Sequence, residues 1–290
     1  MPQSWDLQHA QVQTISWCNR SCDFCPSQKF QRKPHLMPLD TYRRILDELA
    51  ALNFCGRFSP FLQCEPLLDK RLPELVSMAR ETLPKAKLLI QSNGDMLTAQ
   101  KGIALFEAGL HKLVINCYDN KQNRLKHLDL IATEITTKNP NVRYVMGNFF
   151  KMIRPERSNS IKQEIVIEDK THWTKDGQEN WAGNVPGIHL QRKSMKAWCF
   201  RPFNQLYVHH NGNVVLCCCD WKGDVVFGNV LDKSLVEIFS GPLATTYRKN
   251  LNEKNRQMKL CDVCDFPGKP PLLARISHRM IKFANRLHGV

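Results

Sequence analysis

The N-terminus, MPQSWDLQHA, lacks the basic stretch and following apolar run of an export signal. The chain also lacks any run of about 18 consecutive apolar residues, so no transmembrane helix is expected. Together these absences predict a cytoplasmic protein without a disulfide framework. No internal repeat and no low-complexity tract are present. Acidic residues are scarce: 27 Asp and Glu stand against 41 Lys and Arg, a formal net charge of +14. That excess predicts an anionic partner, such as a nucleotide, a phosphorylated substrate, nucleic acid or a membrane surface. No nucleic-acid-binding motif is recognisable, which counts against nucleic acid.

Apolar side chains are not lacking. They make up 42% of 290 residues, enough to build one large α/β domain, or one domain plus a small module. Cysteine is abundant, at 12 residues. Without export, metal or redox chemistry accounts for such a number better than disulfides do.

The first half alternates between strand and helix patterns. Strands are expected at 11–17, 57–63 (weakened by Pro60), 87–92, 112–118, 142–148 and 164–169. Helices are expected at 39–52, 71–83, 99–109 and 123–135. This alternation predicts a parallel sheet with helices packed outside. The units are too few for a closed eight-fold barrel. The expected fold is therefore α/β, a partial (β/α)6 TIM-like barrel with its site at the C-terminal strand ends.

From Trp198 the pattern changes. Asn211-Gly212 between two β-rich runs predicts a hairpin, 225–230 another strand, and 234–251 a helix broken near Gly241-Pro242. The expected organisation is a barrel over 1–195, a small β-hairpin plus helix module over 196–268, and a basic amphipathic helix over 269–290. On that helix Leu273, Ile276, Met280, Ala284 and Leu287 share one face, and Arg275, Arg279, Lys282 and Arg286 another. It is expected to pack back onto the barrel or to touch an anionic membrane surface weakly through 270–290.

Ser16 to Ser27 reads SWCNRSCDFCPS, with Cys18, Cys22 and Cys25 spaced C-x3-C-x2-C directly after the first strand. Three thiolates are one too few to close a tetrahedral zinc site or a fully ligated iron–sulfur cube. On a loop over the sheet edge they can hold three irons and leave the fourth open to a chelating ligand. The spacing, with Phe24 before the last cysteine, resembles the radical S-adenosylmethionine (SAM) superfamily. A partial zinc knuckle is the competing reading.

The resemblance implies a 4Fe–4S cluster on Cys18, Cys22 and Cys25. SAM would chelate its open iron, and one electron would cleave SAM to a 5′-deoxyadenosyl radical. It also implies Phe24, Glu65, Ser92 and Asn93 as cofactor-binding residues. Glu65, in QCEPLL at the end of the second strand, would accept the SAM ammonium. Ser92 or Asn93, in QSNGD, would meet the ribose or the methionyl group. Cys64 stands where glycine is usual, which predicts a more constrained backbone.

A second set comprises Cys199, Cys217, Cys261 and Cys264, the last two in CDVC. Four thiolates can fully ligate a cluster or a structural zinc. The layout resembles the twitch module, a shortened relative of the SPASM domain, and implies one auxiliary 4Fe–4S cluster. The likeness extends to about Phe266 and is greatest to aminoglycoside-pathway members of the superfamily, through CNRSCDFCP, GRFSPFLQCEPLL, SNGDMLT, AGLHKLVI and GNVVLC.

That likeness implies an oxidoreductase that removes hydrogen from a carbinol carbon of a small sugar- or aminocyclitol-like substrate. Its reducing partner would be a flavodoxin or ferredoxin. In those relatives an arginine in an Asn-Arg-Gly-Gly segment helps take the hydroxyl proton. Here ENWAGNVPG puts Trp181 at that position, and indole cannot act as a base. The alternative outcome is epimerisation, with Cys117, Cys218 or Cys219 as hydrogen donor. Cys55 is expected as a small buried side chain, and His209 and His210 as exposed residues before the hairpin turn. A peptide-modifying maturase is disfavoured by the 17 residues before Cys18. A zinc-containing nucleic-acid-binding protein is the non-enzyme alternative.

Overall fold

A computed structural model of the chain describes residues 6–30, 33–118, 123–147, 163–173, 179–185, 187 and 194–268. The expected basic helix at 270–290 lies outside them. Among the described residues no helix is long and apolar enough to cross a membrane.

Continuous apolar runs build the centre of the sheet. Strand β4 (Lys112–Cys117) buries five consecutive residues, and β3 (Lys87–Ser92) buries Leu88, Leu89 and Ile90. Such runs suit strands covered on both faces. β1 (His9–Val12) and β2 (Arg57–Ser59) complete the early strands. β2 stops before Pro60, which has no N–H to donate to the ladder. The helices α1 (Leu39–Ala51), α2 (Leu72–Thr82), α3 (Ala99–Glu107) and α4 (Arg124–Lys138) follow the first four strands in turn. Each buries one apolar stripe, such as Ile45, Leu46 and Leu49 of α1 and Leu128, Ala132 and Ile135 of α4, in the core shared with the sheet. Each fully buried Leu or Ile contributes about 1.5–3 kcal/mol.

Two further strands, β5 (Val142–Met146) and β6 (Gln163–Asp169), extend the parallel sheet, but not in chain order. β6 lies between β4 and β5, paired from Lys112↔Glu164 to Cys117↔Asp169. Burial gives the reason. β6 buries Glu164 to Glu168 without interruption, whereas β5 buries only Val142 and exposes Met146. Three adjacent buried β-branched residues, Ile165, Val166 and Ile167, suit β6 to the doubly covered interior position, and β5, interrupted by exposed Arg143, becomes the edge.

The C-terminal part comprises α5 (Arg201–Asn204), β7 (Gln205–Val208), β8 (Asn213–Val215), β9 (Val226–Asn229), α6 (Leu235–Ser240) and α7 (Pro242–Asn252). α5 has no counterpart in the expected elements. β7 and β8 form the expected antiparallel hairpin, and Gly212 supplies φ +86° at its turn. β7 also pairs in parallel with β1, from His9↔Gln205 to Val12↔Val208. Ala10, Val12, Leu206 and Val208 enter the same core. One sheet of order β5-β6-β4-β3-β2-β1-β7-β8-β9 therefore joins the partial barrel to the module. It is parallel from β5 to β7 and antiparallel from β7 to β9.

The first strand, expected at 11–17, starts two residues earlier and ends five residues earlier in the structure, at His9–Val12. Gln13 N still donates to Val208 O of β7 at 2.8 Å, but residues 14–16 turn away to anchor the following loop: Ser16 N donates to His35 O at 2.9 Å and Met37 N to Thr14 O at 2.8 Å. Cys55 is exposed between α1 and β2, against the expectation of burial.

Candidate active site

The cysteine loop follows β1 and is fastened to the end of β3. Asn93 Nδ2 donates to Asn19 Oδ1 at 2.9 Å, and Asn19 Nδ2 donates to Asp95 Oδ2 at 2.9 Å. Arg20 holds Asp95 through both carboxylate oxygens, with Nε at 2.6 Å from Oδ2. Arg124, at the start of α4, donates to Asp95 Oδ1 at 3.0 Å. Burial alone raises the Asp95 carboxyl, but the hydrogen bonds and charges of Arg20, Asn19 and Arg124 hold it below its ordinary range. Cys18, Cys22 and Cys25 all line one cavity of about 280 Å³ at the C-terminal strand ends. Burial pushes the Cys18 thiol up to about 12, with the neighbouring charges of Glu65, Cys25 and Cys22 adding to the shift.

Glu65, expected at the end of the second strand, lies six residues beyond β2, where it caps a short 3-10 helix over Pro66–Leu68, and is 2% exposed. Its Oε1 accepts from Leu67 N at 3.0 Å and from Ser92 Oγ at 2.6 Å; Oε2 accepts from Asn93 N at 2.7 Å. A carboxylate has about four acceptor positions, so one remains on Oε2. Burial raises its pKa, opposed by those three donors. Glu65, Ser92 and Asn93 line the same cavity as the three thiols. The left-handed backbone lies at Gln63 (φ +54°), not at Cys64, so a cysteine is tolerated there without strain.

Phe24 packs against Tyr118 (5.1 Å between ring centroids) and Trp173 (5.7 Å). Burial raises the Tyr118 phenol above its ordinary range. Neither ring was singled out in the sequence. The available signal was position, since Tyr118 directly follows β4, on the side where sites of this fold lie. Asn116 also lines the cavity, and its buried Oδ1 has no hydrogen-bond partner.

The opposite wall carries Trp181, together with Cys218 and Trp221 from the C-terminal module. Gln63 Nε2 spans the two parts, donating to Cys218 O at 2.9 Å and to Asp220 O at 3.1 Å. Trp181, Ala182 and Gly183 have φ of 50°, 55° and 75°, an uncommon succession for residues with side chains. Asn180 and Asn184 hold it. Asn180 N donates to Asp265 Oδ2 and its Nδ2 to Val263 O, both at 2.7 Å; Asn184 Nδ2 donates to Cys219 O at 2.9 Å. The turn that carries Trp181 is thus tied to the loop that carries Cys264.

Cys217, Cys218, Cys219, Cys261 and Cys264 belong to one packed cluster in the module, and Cys199 and Cys261 both feel the charge of Cys217. The Cys219 sulfur contacts Cys217, Cys218 and Cys264, and accepts from Arg201 Nη1 at 3.1 Å. Burial pushes the Cys199 thiol up to about 11, opposed by Arg201. These all-sulfur groups fit soft iron–sulfur ligation, and none of the cysteines is in a disulfide. Among the described residues no three His, Cys, Asp or Glu side chains converge on a point suited to a single metal ion.

The three hydrogen-donor candidates separate. Cys117 is buried in the apolar core and does not line the cavity, because the alternation along β4 turns Asn116 and Tyr118 inward instead. Cys219 is fully buried among the module thiols. Cys218 alone of the three reaches the cavity. His209 is buried and His210 half-buried, contrary to the expected exposure.

The chain belongs to the radical SAM superfamily and carries a SPASM domain: residues 12–134 match the Radical SAM superfamily, and 199–265 match SPASM, an iron-sulfur cluster-binding domain. It is 26% identical over 257 residues to an S-adenosyl-L-methionine-dependent 2-deoxy-scyllo-inosamine dehydrogenase of Niallia circulans, covering 88% of this chain and 91% of that one. The crystal structure of BtrN in complex with AdoMet and 2-DOIA superposes with a TM-score of 0.70 at 25% identity, covering 90% of this chain and 93% of that one. AdoMet-bound anSMEcpe, at a TM-score of 0.53 and 14% identity over 97% of this chain and 96% of that one, shares the fold. The enzyme's cofactors are a 4Fe–4S cluster, SAM and an auxiliary iron–sulfur cluster.

Proposed function

We propose that this enzyme oxidises a carbinol carbon of an aminocyclitol- or sugar-like substrate bound between the barrel and the module. Cys18, Cys22 and Cys25 would hold the SAM-binding cube, and Cys199, Cys217, Cys261 and Cys264 an auxiliary 4Fe–4S cluster. When bound, the first cluster supplies the electron that cleaves SAM, and the second can take one back. The observation that carries the reading is the single cavity walled by the three barrel thiols on one side and by Trp181 and Cys218 on the other. The similarity to a 2-deoxy-scyllo-inosamine dehydrogenase, and to BtrN with AdoMet and 2-DOIA, supports this substrate class.

The chain's own residues orient and exclude. Glu65 ties the loop after β2 to the end of β3 and offers its remaining Oε2 position to the SAM ammonium. Phe24, Tyr118 and Trp173 form an aromatic wall that keeps water from a reactive radical. The unmet Asn116 Oδ1 takes a hydroxyl or ammonium donor from the substrate. Reducing equivalents come from a small redox protein of the flavodoxin or ferredoxin kind.

The test is an anaerobic assay of the reconstituted enzyme with aminocyclitols and glycosides. A carbonyl product formed one-for-one with 5′-deoxyadenosine supports oxidation. Epimerisation is the second reading, favoured by Cys218 at the cavity wall. Solvent deuterium fixed at a substrate carbon, and lost in Cys218→Ala, would establish it instead.

A further inference from the structure

A second cavity, of about 330 Å³, opens beside the hairpin turn. Its walls carry Lys33, His35, His209, His210 and Lys222, and no Asp or Glu among the described residues. It shares Trp221 with the active-site cavity. A third cavity, which includes Cys18, Lys33 and Trp221, shares walls with both.

The imidazoles are held in place. Gln13 Nε2 donates to Leu62 O at 3.0 Å, which turns Gln13 Oε1 toward His210. That oxygen accepts from His210 Nδ1 at 3.0 Å and from His210 N at 3.3 Å. An amide oxygen only accepts, so this network assigns the Nδ1 proton. His35 stacks on His210, with centroids 5.6 Å apart and 10° between the planes. Ser16 Oγ accepts from His35 N at 2.9 Å and donates to Lys33 O at 2.8 Å, so one hydroxyl sets the backbone of both. Lys222 Nζ lies 5.6 Å from the Phe30 ring, which stacks on Trp221.

Three separate stretches of chain bring these basic groups together. The acids flanking Trp221 are turned to other donors. Asp220 accepts from Asp224 N at 2.7 Å and from Val225 N at 2.9 Å, and Asp224 pairs with Lys259 at 3.0 Å. Crowded basic groups without a carboxylate repel one another once protonated, and a multiply charged anion reverses that cost. A phosphoryl group fits, with about −1.5 to −2 charge at pH 7 and three acceptor oxygens.

We propose that this cavity is a phosphoryl-binding subsite, in which Lys33, His35, His210 and Lys222 hold a phosphate group. The group belongs either to the enzyme's own substrate, a phosphorylated sugar or cyclitol reaching past Trp221, or to a free phosphate that binds beside it. Only the first source rests on the proposed carbinol chemistry.

The probe is inorganic phosphate, titrated calorimetrically into the full-length holoenzyme, with sulfate-free chloride at matched ionic strength as the blank. Saturable binding is expected, weakened about tenfold or more in Lys33→Met/Lys222→Met and in His35→Gln/His210→Gln. Lys249→Met, exposed on α7, should bind as wild type. The lysine pair is exposed and removes no core contact, so its loss of binding is not a folding defect. Absence of saturable binding, or binding indifferent to both double variants, overturns the proposal. A second arm assigns the source by following 5′-deoxyadenosine with phosphorylated and dephosphorylated sugars and cyclitols. Competitive inhibition by phosphate, with a lower KM for the phosphorylated compounds, identifies the substrate's own group. Phosphate binding that leaves that KM unchanged identifies a free anion. Turnover of a neutral substrate without phosphate binding would sink this inference and leave the proposed oxidation standing.

Discussion

Ser92 Oγ donates to Glu65 Oε1 at 2.6 Å, joining the end of β3 to the loop that follows β2 at the wall of the cavity. The bond uses a carboxylate that already takes two backbone N–H groups, so Glu65 organises the cavity as well as facing it. A glutamine there presents an NH2 where a donor already points. Glu65→Gln should weaken SAM binding by about 1.5–3 kcal/mol, the range of one charge-assisted hydrogen bond. Equilibrium SAM binding under anaerobic conditions measures it, and unchanged affinity removes Glu65 from the site.

Cys18, Cys22 and Cys25 share the active-site cavity, while the second set of thiols lies in the module. Replacing all three with alanine should abolish 5′-deoxyadenosine formation and lower iron from about eight to about four per chain, one cube's worth. Iron analysis and product chromatography check both. Reductive SAM cleavage persisting in the triple variant would contradict the assignment.

Asp95 provides a pH test. Its pKa in the folded protein lies below its ordinary value of 3.8, so its contribution to stability is fully present above that value and is lost as pH falls through the folded pKa. Asp95→Asn should therefore lower stability by a constant amount between about pH 8 and pH 5. That amount is about 1 kcal/mol or less, because the carboxylate is partly exposed and screened. Unfolding midpoints across that window decide it; a gap that closes well above pH 4 contradicts the argument.

Trp181 combines a left-handed backbone with a place on the cavity wall. Trp181→Gly removes backbone strain of about 1–3 kcal/mol while opening the wall. Folding stability should change little. Substrate KM should rise about tenfold or more, as expected for losing an aromatic contact. Excess 5′-deoxyadenosine over carbonyl product would show the uncoupling. A variant with unchanged KM and full coupling would place Trp181 outside the substrate wall.

Cys117 and Cys218 should behave oppositely. Cys117→Ala, in the core, is expected to cost stability of roughly 1 kcal/mol and leave turnover intact. Cys218→Ala alters the wall itself and should change turnover or its solvent-deuterium label with little effect on unfolding. Thermal unfolding and deuterium incorporation, measured on both variants, separate the two roles.

Much of the local structure is legible in the chain. The β3 reading at 87–92 coincides with the strand, because three adjacent apolar residues bounded by a turn suit a doubly covered strand. Asn211-Gly212 marks the hairpin because the turn needs positive φ at Gly212. The cysteine spacing marks a three-ligand loop, since ligand type and separation are local properties. Tyr118 and Trp173 were missed because aromatic residues in a loop carry no pattern of their own; they act as a wall only after β4 and β6 bring them to Phe24.

By itself, then, the sequence determined the ligand types, their spacing, the strand–helix alternation and the turn that launches the module. Tertiary structure alone decided that β7 pairs with β1, that β6 displaces β5 from the interior, and that Cys218 meets the cavity while Cys117 and Cys219 do not. The physical reason is range. Ligand spacing and turn chemistry act over a few residues. Sheet neighbours are chosen by which apolar faces can be buried together across nearly two hundred residues, as between Ala10 and Leu206, and alternation along a strand then assigns one residue to the core and the next to the site.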